Sequence, residues 1–418
     1  TYCSDCQTTP WSGFASAPQN GNTNHLLTKV GNGLGELTKI SYAKLSQPVS
    51  GLYYRGTGAI YPTTNVQGPL TVVNSIQKDN GKGSLNTLNY QYENAIIHLQ
   101  GKGFLGYSKS MATNQATGIT DESNITGYNS TYFYPLVTKT FSRYSADTIN
   151  VVKETWSHVL LDASKKRIFP FVNMSKQTDK LTGHFITIST AVDNYGTPTS
   201  VIKTYNNGPT ETTTNSDFDN IINSSYWLLG RPRTTTLQYI GGGNTITRTG
   251  TRLFSSTSNN LTSETWHSGT NQQIVKGFKY NINGTLKRDS ATANGVYRTN
   301  IYSYETDNIR IKTTKDPLSH TTTNAYDSYG RLYTQTDYLS NTLTYTYDDM
   351  SREATISSTV GNQTSTTFNW ETPTSVPKPA RYSVLKTGND GSLAKSWFDK
   401  LGREIRSDVK GFDGTWIY

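Results

Sequence analysis

The sequence predicts an all-β chain built as a long strip of antiparallel β-hairpins, and three observations carry that expectation. First, only 33% of the 418 residues are hydrophobic and 17% charged, while Thr, Ser, Asn and Gly dominate the remainder and 28 tyrosines supply much of the apolar area. Tyr and Thr suit a half-wet pleated sheet, because each sets apolar atoms against a neighbour and keeps a hydroxyl for water or a cross-strand hydrogen bond. Second, short alternating runs bounded by Gly, Asn, Asp or Pro recur along the chain, among them LTVVNSI (Leu70 to Ile76), HFITISTAV (His184 to Val192) and TLTYTYDD (Thr342 to Asp349). Third, the C-terminal half repeats itself. YDSYGRL from Tyr326 and YDDMSRE from Tyr347 align twenty-one positions apart, and the segments before them, from Lys315 and from Thr336, align at the same offset.

The repeat has a plain physical reading. A Tyr ends one strand with its ring on the sheet, an Asp caps the turn by accepting backbone N–H groups, a Gly takes the positive-φ position, and an Arg or Thr starts the return strand. Tyr326, Asp327, Gly330 and Arg331 fill these places in one copy, and Tyr347, Asp348 and Arg352 in the next. Looser copies begin at Asp193, Tyr280 and Phe398, the last placing Phe398, Asp399, Gly402 and Arg403 in the same roles. Twenty-one residues at about 3.3 Å per strand residue make about one hairpin. A lone hairpin is unstable, so successive hairpins must pair edge to edge. One segment reads differently: FDNIINSSYWLLG (Phe218 to Gly230) spaces Phe218, Ile221, Ile222 and Leu228 to suit one or two helical turns.

Composition also narrows function. The net charge is +9, but Lys and Arg are thinly spread, and the densest run, Ser164 to Arg167, is expected to be a solvated turn. No nucleic-acid partner is expected from it. No run of about 18 apolar residues is present to suggest a membrane-spanning helix. Cys3 and Cys6 make half a zinc site at most, with no second C-x-x-C and no suitably spaced His pair to complete it. The start at Thr1 and the stop at Tyr418, inside what reads as an unfinished strand, suggest a piece of a longer protein.

The sequence carries few motifs that point to chemistry. His25, His98, His158, His184, His267 and His320 are scattered, and neither a G-x-S-x-G elbow nor a Walker sequence occurs. The adjacent acids Asp121 and Glu122, and Asp348 and Asp349, sit beside turn residues, and neighbours on a strand point to opposite faces. HLQGKGFLG (His98 to Gly106) places Gly101, Gly103 and Gly106 at the spacing of a dinucleotide loop, after a possible strand at Asn94 to Gln100 and with Asp121 at a ribose-binding distance. The stretch after Gly106 has no apolar stripe, so no helix N-terminus would face a phosphate. The three glycines are therefore expected to permit a bend or bulge between strands. Trp156, Trp227, Trp266, Trp370, Trp397 and Trp416 lack a carbohydrate-binding spacing and are expected to cover the surface of a one-layer wall. The chain is thus expected to hold no catalytic residue, cofactor or metal.

The YDxxGRL unit and its upstream D-x-L-S-N/H turn resemble the YD repeat of RHS-repeat proteins. Four earlier segments, from His25 to Leu45, Gly101 to Ser110, Asp193 to Val201 and Trp227 to Leu237, resemble the region preceding the repeats in the B component of insecticidal toxin complexes. The resemblance implies a lead-in at 1–24, a toxin-B-middle-like β region at 25–240 and an incomplete RHS/YD-repeat region at 241–418. It implies a strip that spirals into part of a hollow shell, a β-cocoon, whose closure removes sheet edges and encloses a toxic C-terminal polypeptide. The implied partners are that cargo, the remaining shell segments and a delivery or pore-forming component, in a bacterial protein that is secreted or at the cell surface. The family's self-cleaving aspartyl protease segment is not found in this stretch, so no catalytic Asp is carried over. The alternative is a secreted or cell-surface YD-repeat adhesin that binds carbohydrate or a partner cell.

Overall fold

The computed structural model describes residues 26–418 apart from 47–48, 67, 82, 224, 226, 373–379 and 412. Cys3, Cys6, His25 and the lead-in at 1–24 lie outside the described residues. Every regular element among the described residues is a β-strand. Their pairings are antiparallel except one, where Tyr53–Tyr54 runs parallel to Tyr92–Glu93. The chain divides into two compact units, Thr1–Arg248 and Thr249–Tyr418.

In the first unit the strand Leu37–Lys44 pairs with Thr71–Asp79, which pairs with Leu85–His98. From there each strand pairs with the next one along the chain, through Gly103–Asn114, Ile119–Tyr128, Pro135–Tyr144, Asp147–Asp162, Arg167–Asp179 and Phe185–Val192. Pro198–Tyr205, Thr210–Phe218 and Pro232–Gly241 continue it. The apolar core sits at the start, where Ala43, Leu45, Leu52, Val72 and Ala95 pack together against Tyr53, Val66, Tyr92 and Tyr107. Burying one Leu or Val side chain there contributes about 1.5–3 kcal/mol. Tyr92 keeps its hydroxyl satisfied by donating to the Val73 carbonyl at 2.9 Å. Its burial, with Tyr107 and Tyr90 nearby, pushes the phenol up to about 12.

The helical turns expected within Phe218 to Gly230 are not formed. Ile221–Ile222 instead pairs antiparallel with Trp227–Leu228. The Asn223 side chain accepts the Ser225 amide at 2.8 Å, a local bond that competes with helix formation. At the base, the Asp219 amide donates to the Arg231 carbonyl at 2.8 Å, and Asp219 also receives Arg231 and Arg233, each at 2.8 Å.

The second unit is an antiparallel meander from Gly250 to Ile417 in which each strand pairs with the one before and the one after. Of the buried apolar residues described, Ala380 alone lies here, and the buried polar residues include Ser383, Asp399 and Asp408. Its stability therefore rests on pairing and on edge contacts more than on an aliphatic core. In neither unit does a described strand pair back to the first, so each sheet is open, and the edge closure expected of a shell is not made among the described residues.

Candidate functional site: the strand-end edges of the repeat

Successive turns of the second unit fall alternately at two edges of its sheet. The sequence distinguishes a Y-D-x-x-G-R turn from an upstream D-x-L-S turn, but the structure makes them one device. At Asp316, Asp327, Asp337, Asp348 and Asp399 the Asp amide donates to the carbonyl four residues on, and the Asp carbonyl accepts the amide three residues on. The Asp Oδ1 accepts two further amides, two and four residues on, at 2.8–3.0 Å; at Asp327 these are Tyr329 and Arg331. The residue three after each Asp is left-handed: Ser319 (φ 69), Gly330 (φ 83), Ser340 (φ 66), Ser351 (φ 60) and Gly402 (φ 75). The fourth residue grips Oδ2 from its side chain, as His320 at 3.1 Å, Arg331 at 2.7 Å, Asn341 at 3.0 Å, Arg352 at 2.7 Å and Arg403 at 2.8 Å. The turns at 316, 327, 337 and 348 are spaced alternately by eleven and ten residues, so the twenty-one-residue period is two near-equal halves.

The edges differ in what stands before the turn. Along one edge the ladder slips by one residue beside an aromatic in six hairpins, at Phe254, Tyr280, Tyr304, Tyr326, Tyr347 and Phe398, while the hairpin of Gln363–Trp370 and Tyr382–Gly388 keeps a straight register. These residues face Leu261, Leu286, Ile311, Leu332, Glu353 and Glu404 across their bulges. A bulge takes a carbonyl out of the regular ladder, and that carbonyl then needs a donor. The next tyrosine along supplies it: Tyr280 donates to Leu261 at 2.9 Å, Tyr304 to Leu286 at 2.6 Å, Tyr326 to Ile311 at 2.8 Å and Tyr347 to Leu332 at 2.7 Å. Each hydroxyl thus closes the bulge left by the preceding hairpin. Phe398 has no hydroxyl and instead stacks on Tyr382, centroid to centroid 4.7 Å.

Arginines tie the turns to the same ladder. Arg310 lies 5.1 Å from the Tyr326 ring, Arg331 lies 4.5 Å from that of Tyr347, and Arg352 lies 3.8 Å from that of Phe368. Arg331 also donates to the Ser351 hydroxyl of the next turn along the same edge at 3.1 Å. At the opposite edge His320 stacks on Tyr338 at 3.8 Å, linking two turns there in the same sense. Desolvation pushes the Asp327 and Asp399 carboxyls up, but the amides and the arginine they accept outweigh it and hold both below the usual carboxylate range. Arg352 and two amides do the same for Asp348. Sequence reasoning identified Tyr, Asp, Gly and Arg but gave no role to Leu261, Leu286, Ile311 or Leu332, whose signal is an apolar residue six or seven positions after each edge aromatic.

The glycines of the nucleotide-like stretch lie in the first unit. Gly101 (φ 93) is in the turn between Leu85–His98 and Gly103–Asn114, which Gly103 (φ 73) opens. Gly106 (φ 108) pairs with Ile96 where the register shifts between Ile96 and Ile97. A Cβ would meet nothing within 4 Å at Gly101 or Gly103, so backbone conformation and not crowding is what glycine satisfies there. A strand, not a helix, runs through Gly106. Asp121 is exposed and Glu122 buried, on opposite faces of one strand. Asp348 caps its turn, and Asp349 is the turn residue after it. Among the described residues no group of three or more His, Cys, Asp and Glu is placed to hold a metal ion. Nor is any described helix long and apolar enough to cross a membrane.

An antiparallel meander with one bulged, tyrosine-bridged edge defines a class of extended β-strip. A family model described as the insecticide toxin TcdB middle/N-terminal region matches residues 7–138. No curated protein matches the chain. Among solved structures, a TcdB2-TccC3 crystal structure is similar with a TM-score of 0.66 at 10% identity, covering 94% of this chain and 30% of that one. A structure of the Photorhabdus luminescens Tc holotoxin pore gives 0.67 at 8% identity, over 92% of this chain and 30% of that one. The chain resembles the middle region of the toxin complex B component and shares the fold of these structures, of whose length it spans less than a third.

Proposed function

We propose that this chain is a wall segment of an RHS-repeat toxin shell that encloses and protects a toxic C-terminal cargo before delivery. The observation that carries the reading is the bulge repeated at one edge of the second unit, where the bulges beside Phe254, Tyr280, Tyr304 and Tyr326 are each bridged by the next edge tyrosine. A bulge bends its strand and adds right-handed twist. Repeating it always at the same edge adds that bend with one sign per hairpin, which is how a flat strip becomes a spiral. The likeness to the TcdB2-TccC3 fold supports the same reading. The chain itself performs no chemistry in this proposal. Its partners are the cargo, further shell segments and a pore-forming component, and the assembly works outside the producing cell. Limited proteolysis of the longer protein carrying this chain tests the idea: its downstream polypeptide should resist protease while the strip is intact. Replacing Tyr280, Tyr304, Tyr326 and Tyr347 together with Ala should expose it. A density map of the intact protein with no enclosed volume would sink the proposal.

The adhesin reading keeps one specific support. Trp227 and Trp370 are 60% and 65% exposed, leaving ring faces that sugars could stack on. Binding on a glycan array that disappears in Trp227→Ala or Trp370→Ala would favour it, and silence across a broad array would count against it.

A further inference from the structure

One row of the first unit's sheet places lysines directly opposite one another on neighbouring strands. Glu93 faces Lys109, Lys109 faces Asn124, Asn124 faces Lys139, Lys139 faces Lys153, and Lys153 faces Lys176. Residues in register across antiparallel strands share a face, so these side chains form a single rung across six strands. The rung begins satisfied: Lys109 contacts Glu93 at 2.8 Å and Glu122 at 4.0 Å. Its far half is not. Lys139, Lys153 and Lys176 are three consecutive like charges, and among the described residues no carboxylate pairs with any of them. Lys153 and Lys176 are exposed. Lys139 and Lys176 hold their ammonium groups over the rings of Phe141 and Phe185, at 4.4 Å and 3.7 Å.

Like charges in register destabilise a sheet, so such a row weakens the free protein. An anionic occupant would reverse the sign of that contribution. We propose that the Lys139–Lys153–Lys176 rung is a docking site for an acidic, amphipathic helical segment of a partner polypeptide, lying across the strands. Neighbouring strands are about 4.8 Å apart, so the two steps of the rung span about 10 Å. A helix offers acids on one face at about 5.4 Å per turn, or about 11 Å over two turns, a mismatch that flexible lysine stems absorb. An extended strand offers them about 6.7 Å apart and falls out of step within two intervals. Phe141 and Phe185 give the apolar side of such a helix a surface beside the charges. Docking at this rung does not depend on the shell reading.

The test uses the full chain and a labelled helical peptide with glutamate at every fourth position, followed by fluorescence anisotropy. The peptide should bind, and binding should weaken steeply as salt is raised. Lys139→Gln, Lys153→Gln and Lys176→Gln together should weaken it at least tenfold. The charge-matched set Lys180→Gln, Lys287→Gln and Lys315→Gln should leave it within about twofold. Lys153→Gln alone should raise the melting temperature, a change that a merely structural lysine would not produce. No peptide binding, equal loss in the charge-matched set, or a rung that takes duplex DNA or phosphatidylglycerol vesicles in preference to the peptide would each overturn the proposal.

Discussion

The Tyr347 hydroxyl donates to the Leu332 carbonyl at 2.7 Å, and Leu332 is the residue that Tyr326 faces across its own bulge. Two hairpins are thereby joined by a side chain as well as by their shared ladder. The same relation recurs from Tyr326 to Ile311, from Tyr304 to Leu286 and from Tyr280 to Leu261. Tyr347→Phe keeps the ring and its contact with Arg331 and removes only the hydroxyl. It should cost about 1 kcal/mol, the net value of one such bond plus the carbonyl left without a donor. Urea denaturation of the variant checks this, and an unchanged midpoint would show that water replaces the phenol at no cost.

The left-handed turn positions give a prediction of opposite signs. Ser319, Ser340 and Ser351 stand where Gly330 and Gly402 stand in the equivalent turns. A residue with a Cβ pays about 1–2 kcal/mol for this conformation, partly offset because glycine has more freedom to lose on folding. Ser340→Gly should therefore stabilise by about 0.5 kcal/mol, and Gly330→Ala should destabilise by about 1 kcal/mol. At Gly330 an added Cβ would lie 3.4 Å from the Arg310 guanidinium, so conformation rather than collision sets the loss. Matched thermal melts of the two variants decide the point.

The Asp cap and the Asp–Arg pair are separable. The Asp327 Oδ1 holds the amides of Tyr329 and Arg331, while Oδ2 takes the Arg331 Nε from a guanidinium near water. Backbone amides need an acceptor once the turn folds, whereas a surface ion pair contributes little. Asp327→Ala should lower the melting temperature more than Arg331→Ala does, with Asp327→Asn between them. Equal losses from the two alanine variants would mean that the ion pair, not the cap, holds the turn.

The all-strand character and the hairpin period were legible because alternation, turn residues and the Tyr-Asp register are local signals. The strand pair at Ile221–Ile222 and Trp227–Leu228 was not, because four apolar residues at helical spacing look alike whether or not the Asn223 side chain accepts the Ser225 amide. The Tyr, Asp, Gly and Arg positions could be read from the repeat itself. The donor needed at the fourth position was hidden because His320, Arg331 and Asn341 share hydrogen-bonding capacity and little else. The roles of Leu332 and Ile311 were hidden more deeply, since they act through a backbone carbonyl that any residue would supply. The lysine rung is spread over Lys139, Lys153 and Lys176, and only the register brings them into line.

The turn carboxylates predict an acid limit to stability. Backbone amides and Arg310 hold Asp307 down at about 2, Asn341 lowers Asp337, and Arg352 lowers Asp348. A carboxyl with a lower pKa in the folded state stabilises that state fully above its unfolded value, and the contribution is lost as pH falls through the folded value. The melting temperature should therefore hold steady from pH 7 to about pH 5 and fall between about pH 4 and pH 2, the interval between an ordinary Asp and these ones. Asp307→Asn should lie below the parent near neutrality and show a shallower acid slope. At the other end the sign reverses: burial raises Tyr92 and Tyr302 to about 12 each, so the folded state favours the neutral phenol. That contribution is complete below about pH 10 and is lost as pH rises toward 12. Thermal melts across both ranges test the two arms separately, and an acid slope unchanged in Asp307→Asn would remove the Asp307 carboxyl as one of its causes.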